Sequence, residues 1–263
     1  MSPNNQGVGR PVAMFEIQLA KGAQAAGGAL ITAFPSVGMV GSIAGSFIAE
    51  ALKMERIAYV LSDEVPPAAL VQEGVPTYPL RILGHKHMSI ITSEFQIPIT
   101  LAGPLAKTIM DWAGSNGYEI IVGLEGLMSG QEAPDVEKEA RVFGVGSTPA
   151  ARERLVKAGI EQFKIGMITG VSGALLSEGE RSGKDIVCLL VEANSMYPDA
   201  RGAAKLVEFI SKLLPDVKVD LGELYKEAQM IEENVKATVE RTKEMLAARQ
   251  SQAERLGKSY MYG

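Results

Sequence analysis

The sequence predicts an α/β body: a three-layer sandwich in which helices cover both faces of a mixed, largely parallel sheet. Three observations lead there. Residues 29–34, 118–124 and 184–193 hold apolar runs of strand length without the alternation of a half-wetted sheet. Stretches with helical spacing separate such runs, so strands alternate with helices over most of the first 215 residues. A hairpin around Gly84-His85-Lys86-His87 makes the sheet mixed rather than purely parallel.

The elements follow in order. Residues 29–34 (Ala-Leu-Ile-Thr-Ala-Phe) read as a buried strand, 35–38 as a turn, and 39–52 as a helix rich in small residues. A strand is expected over 56–61, then the irregular Asp63-Glu-Val-Pro-Pro67. Residues 78–83 and 88–93 form the two arms of the hairpin. The pattern of 101–115 is helical and stops at Asn116-Gly117. Strands are expected at 118–124, 141–145, 163–168 and 184–193, and a helix with proline in its first turn at 149–158. A helix over 200–214 closes at Pro215.

From Asp220 to Gln250 the character changes. No glycine or proline follows Gly222 in this stretch, and Leu221, Leu224, Ala228, Ile231, Val235, Thr238, Thr242 and Met245 follow steps of three and four. Such a helix would be about 46 Å long. Residues 223–258 carry seven acids and seven bases, which makes its outer face a solvated mixture. A helix packed along its own domain and one that projects or pairs with another subunit both satisfy the pattern. The chain thus divides into an N-terminal segment (1–27), an α/β body (28–218), a long helix (219–250) and a flexible tail (251–263).

Composition excludes several functions. A single cysteine, Cys188, rules out an intramolecular disulfide framework and a cysteine-based zinc site, and points to a reducing, cytoplasmic setting. With 26 Lys+Arg against 31 Asp+Glu, the net charge of −5 argues against nucleic acid as a partner. The first residues have neither a basic region nor an apolar core, so no secretory signal is expected. Residues 22–49 are uncharged, yet Pro35 and Gly38 divide them into pieces too short to cross a bilayer, and no membrane partner is expected.

Candidate chemistry is sparse. Gly38, Gly41 and Ser42 lie in a strand-to-helix turn where free N–H groups would suit an anion, with Asp63 or Glu64 placed for a ribose. The spacing matches no phosphate-loop pattern, and glycines that let a helix approach a sheet explain the same residues. Gly170-Val-Ser172-Gly-Ala174 resembles a nucleophile elbow, but Ala174 replaces its last glycine and both histidines precede Ser172. His85-Lys-His87 is too short a ligand set for a metal by itself. Cys188 reads as a small core residue, and the acids of Gln131-Glu132-Ala-Pro-Asp135-Val-Glu137 as a helix start. No catalytic residue, metal or cofactor is therefore expected. The chain end, Tyr260-Met261-Tyr262-Gly263, suits insertion into a partner's pocket, aromatic in a slot and carboxylate on a cation, and a frayed end or one docked on its own domain fits the same residues.

Four stretches together resemble the proteasome assembly chaperone family. They are Phe34-Pro-Ser-Val-Gly38-Met-Val-Gly41, Glu64-Val-Pro-Pro67, Gly170-Val-Ser-Gly-Ala-Leu-Leu176, and Leu189-Leu-Val-Glu-Ala-Asn-Ser-Met-Tyr-Pro198-Asp199-Ala-Arg-Gly-Ala-Ala204. The resemblance covers residues 28–215, and the long helix with its tail resembles the archaeal branch. It implies a fold similar to nucleoside phosphorylases without their catalytic residues, and ATP-independent help in assembling the proteasome core particle. It also implies a homo-oligomer that reaches the core-particle α-ring with its C-terminal segments. Met261, Tyr262 and Gly263 match the hydrophobic-tyrosine-any tail of such proteins. On that match Met261 packs apolar surface, Tyr262 fills the slot, and the Gly263 carboxylate pairs with a lysine of a proteasome α subunit. The alternative is an α/β enzyme acting on a nucleotide-like or acidic small molecule near Gly38, Gly41, Ser42 and Ser172.

Overall fold

In the computed structural model, which describes residues 14–128 and 140–226, the apolar runs become the strands of one sheet. The chain runs through β1 (Glu16–Leu19), β2 (Gly28–Ala33), a 3-10 turn (Val37–Met39), α1 (Val40–Ala51) and β3 (Glu55–Leu61). It continues through β4 (Leu70–Gln72), β5 (Val75–Thr77), β6 (Leu80–His85), β7 (Met88–Ser93), α2 (Ile99–Ser115) and β8 (Tyr118–Met128). After residue 140 come β9 (Val142–Gly146), α3 (Pro149–Lys157), β10 (Glu161–Gln162), α4 (Gly170–Ser182), β11 (Ile186–Ala193) and α5 (Ala200–Leu213). Among the described residues, nine strands form one sheet in the order β1-β3-β6-β7-β2-β8-β11-β9-β10. Its centre, β7-β2-β8-β11, is parallel. Antiparallel pairs flank it: β1, β3 and β6 on one side and β9 on the other, with β10 parallel to β9.

The period-two geometry of a strand sends alternate residues to opposite faces, and here each face is buried. Ile31 and Ala33 of β2, Val122 and Leu124 of β8, and Val187 and Leu189 of β11 meet α1, α3 and α5. Leu30 of β2, Ile121 of β8 and Ile186 of β11 meet α2 and α4 on the other face. That double burial is why these strands are apolar without alternation. The result is the mixed three-layer α/β sandwich the sequence predicts. Among the described residues, no helix is long and apolar enough to cross a membrane.

Some elements differ from the sequence reading. Only Glu161–Gln162 joins the sheet where a strand over 163–168 was expected; the chain beyond it is irregular, and Ile165 and Met167 are 91% and 86% exposed. Apolarity alone misled there, because these side chains face solvent. Helix α4 was not anticipated beyond its elbow-like start. It carries Gly173 and Gly179, poor helix formers that close packing demands: a Cβ on Gly179 would sit 2.3 Å from Ile186 Cγ1. Strand β1 and the small β4–β5 ribbon were also not anticipated. Residues 222–226 are helical, with Leu224 buried in the core that α1, α3 and α5 share and Leu221 packed against it. The remainder of the expected long helix (227–250), the tail with Met261, Tyr262 and Gly263, and the acidic stretch 131–137 lie outside the described residues.

Candidate functional site

Strands β7, β2, β8 and β11 are parallel, so their C-terminal ends share one end of the sheet. Beyond β2 the chain turns to α1 on one face, and beyond β7 it turns to α2 on the other. Adjacent strands whose connections part in this way leave a crevice at their C-terminal ends. A cleft of about 230 Å3 lies here. Phe34, Pro35, Ser36 and Val37 line it from beyond β2, Gln96 and Ile97 from beyond β7, and Glu125, Gly126 and Leu127 from β8. Leu190 of β11, Phe163 and the segment entering α4 (Met167 to Val171) complete it.

Half-buried Glu125 lines this cleft, and behind it lies a buried polar cluster on the α4 side of the sheet. Ser172, in the first turn of α4, is 2% exposed and its hydroxyl donates to Glu125 Oε1 at 2.7 Å. Gly123 makes room for it, because a Cβ there would lie 2.7 Å from Ser172 Oγ and 3.5 Å from Thr32 Oγ1. Thr32 Oγ1 is buried with no hydrogen-bond partner among the described residues. Cys188 of β11 is buried beside them. Desolvation pushes the Glu125 carboxyl up from 4.5 to about 7, against the opposing Ser172 hydrogen bond. Burial, then the nearby Glu125 charge, pushes the Cys188 thiol well above its ordinary value, so it stays a neutral thiol.

The other sequence candidates separate. Gly38 (φ +63°) and Gly41 are packed against backbone: a Cβ would stand 2.7 Å from Asn194 O at Gly38, and 2.7 Å from Leu124 O at Gly41. These are the close approaches of the helix-packing explanation, and Ser42 Oγ is buried with no partner among the described residues. The turn also stitches distant stretches together. Asp199 N donates to Gly38 O at 2.8 Å, and the Asp199 carboxylate accepts from Asn194 N and from Gly202 N, capping α5. Ser36 Oγ accepts from Gly126 N at 3.2 Å. Asp63 and Glu64 are exposed while Val65 is buried. His85, Lys86 and His87 turn the β6–β7 hairpin, with Lys86 at φ +49°, at the opposite end of the sheet. They border an open groove of about 970 Å3 there, so neither histidine is near Ser172 and no hydrolase triad forms.

Glu125 was the residue missed. The signal was present: it sits one position beyond the expected strand end at 124, in an apolar run that continues to Met128. Alternation from Ile121 through Gly123 would have turned it inward. The same end of the sheet exposes apolar side chains at Met39, Ile99, Met128 and Met196, next to Met167 at the cleft.

Against known proteins, residues 30–239 match the PAC2 family. The chain is 33% identical to Pyrococcus furiosus PbaA, an archaeal homolog of proteasome-assembly chaperone. That likeness covers 92% of this chain and 98% of that one, with a TM-score of 0.78. It is 32% identical over 218 residues to an uncharacterized protein of Methanocaldococcus jannaschii, covering 83% of this chain and 88% of the relative. Pyrococcus furiosus PbaB, an archaeal proteasome activator, shares the fold at 20% identity and a TM-score of 0.72, over 86% of this chain and 99% of that one.

Proposed function

Because the chain belongs to the PAC2 family, we propose that it is a non-enzymatic, ATP-independent proteasome assembly chaperone or proteasome-binding factor of the cytoplasm. It acts as a homo-oligomer and docks on the α-ring of the core particle through its C-terminal tail. The observation that carries this reading is the near full-length likeness to PbaA, at 33% identity and a TM-score of 0.78. The exposed methionines at one end of the sheet support a protein partner, since methionine adapts to irregular apolar surfaces.

In this reading Met261 packs apolar surface on the α subunit, Tyr262 fills a slot, and the Gly263 carboxylate pairs with a cation. Each tail is a short ligand and binds weakly. Several tails on one oligomer, facing a ring of repeated pockets, gain effective concentration without any new contact. The test is native mass spectrometry of the protein mixed with proteasome α subunits, with and without residues 261–263. A complex is expected with the full chain and not with the truncated one, while fold and oligomer persist in both. Equal binding by the truncated chain removes the tail from the mechanism. No complex with either form overturns the proteasome reading itself.

A further inference from the structure

We propose that the cleft beyond β2, β8 and β11 binds a small organic cation, its ammonium on the Glu125 carboxyl and its apolar body against Phe34, Ile97, Phe163 and Leu190. This proposal does not rest on the tail and holds whether or not the tail docks. Glu125 is the single ionisable residue among those described lining the cleft, and no lysine, arginine or histidine accompanies it. An anionic ligand would therefore meet a carboxylate with no counter-charge, which disfavours nucleotides and acidic metabolites here. The start of α4 favours an anion, and the Glu125 carboxyl already lies against it through Ser172.

The carboxyl is also held ready. Ser172 fixes Oε1, while Oε2 has no partner among the described residues and, unlike Thr32 Oγ1, is not sealed in the interior. A half-buried carboxyl with one open oxygen is complementary to an N–H donor, and a charged donor makes the stronger bond. The rise of Glu125 to about 7 agrees, because the ionised form lacks the counter-ion that an ammonium would bring. The groups facing Glu125 are Ser172 from α4 and Cys188 from β11, with Thr32 of β2 beside Ser172 across Gly123. Of these only the neutral Cys188 thiol titrates, and it does so far above physiological pH, so a proton released on binding comes from Glu125.

Benzylamine and benzoate, equal in ring and opposite in charge, are the probes, read by methyl NMR of Ile97, Leu127, Ile168 and Leu190 in the full chain. Benzylamine is expected to move these methyls saturably and benzoate to leave them in place. Glu125→Gln is expected to weaken benzylamine by about tenfold or more, and Met167→Trp, a change at an exposed position on the rim, to block it. Binding is expected to be tighter at about pH 8 than at about pH 6, where Glu125 holds its proton. Benzoate binding as tightly as benzylamine, or still methyls with either probe, overturns the proposal. So does benzylamine binding that Glu125→Gln leaves unchanged. If Glu125→Gln does not fold, the two probes and Met167→Trp decide the matter.

Discussion

Glu125 sits where ionisation is penalised by desolvation, and its titration is therefore a stability statement. In the folded protein its carboxyl is raised from 4.5 to about 7, so the fold binds this proton more tightly than the unfolded chain does. The stability it contributes is full below about pH 4 and is lost as pH rises toward 7, since unfolding then lets the carboxyl ionise in water. Glu125→Gln keeps the shape and an acceptor for Ser172 but removes the titration. In urea unfolding, wild type is expected to lose about 3 kcal/mol relative to this variant between about pH 4 and pH 8. A constant difference across that range would mean that Glu125 is not desolvated. Other single residues were plainer in the sequence. Cys188 was recognisable as core because its neighbours are all apolar, and the triad was excluded because both histidines precede Ser172. Glu125 was not, because a charge within an apolar run reads as the end of the strand unless the alternation is carried past it to Met128.

At the level of elements, what the sequence revealed depended on whether burial and local propensity agreed. Strands β2, β8 and β11 are buried on both faces along their apolar centres, and helix α2 stops at Asn116-Gly117 as its signals say. Helix α4 needs glycine for its closeness to β11, so its packing hid its propensity. Strand β1 offered only Glu-Ile-Gln-Leu, four residues whose alternation is too brief to distinguish from loop. The junction between α1 and α5 shows how separate motifs serve one purpose: Asp199 bridges Asn194 N and Gly202 N while its own N–H holds Gly38 O. Asp199→Ala loses the cap and strands a part-buried N–H, a cost of about 2–3 kcal/mol. Asp199→Asn keeps one acceptor and is expected to recover about half of that in chemical denaturation. Equal losses for the two variants would show that the second acceptor contributes nothing.

For the whole molecule, the sheet serves two cores at once. Residues 29, 31 and 33 of β2 face one and Leu30 the other, and β8 and β11 repeat the arrangement. Neither helical layer can leave without exposing the sheet face that both depend on, so the described body is expected to unfold as one unit. Scanning calorimetry should give a single transition with calorimetric and van't Hoff enthalpies in agreement. Two resolved transitions would mean that the layers are independently stable.

The ends of that sheet have a consequence for crowding. A strand at the rim offers backbone donors and acceptors in a row, a template on which a foreign strand can crystallise into a fibre. At one rim the row is β10, two residues long, whose Glu161 is ion-paired to Arg141 just before β9. At the other it is β1, four residues that begin with a glutamate and are flanked by a turn. Among the described residues, neither rim presents a long ladder. The described body is therefore expected to resist edge-to-edge association when concentrated, and light scattering that rises steeply with concentration would contradict this.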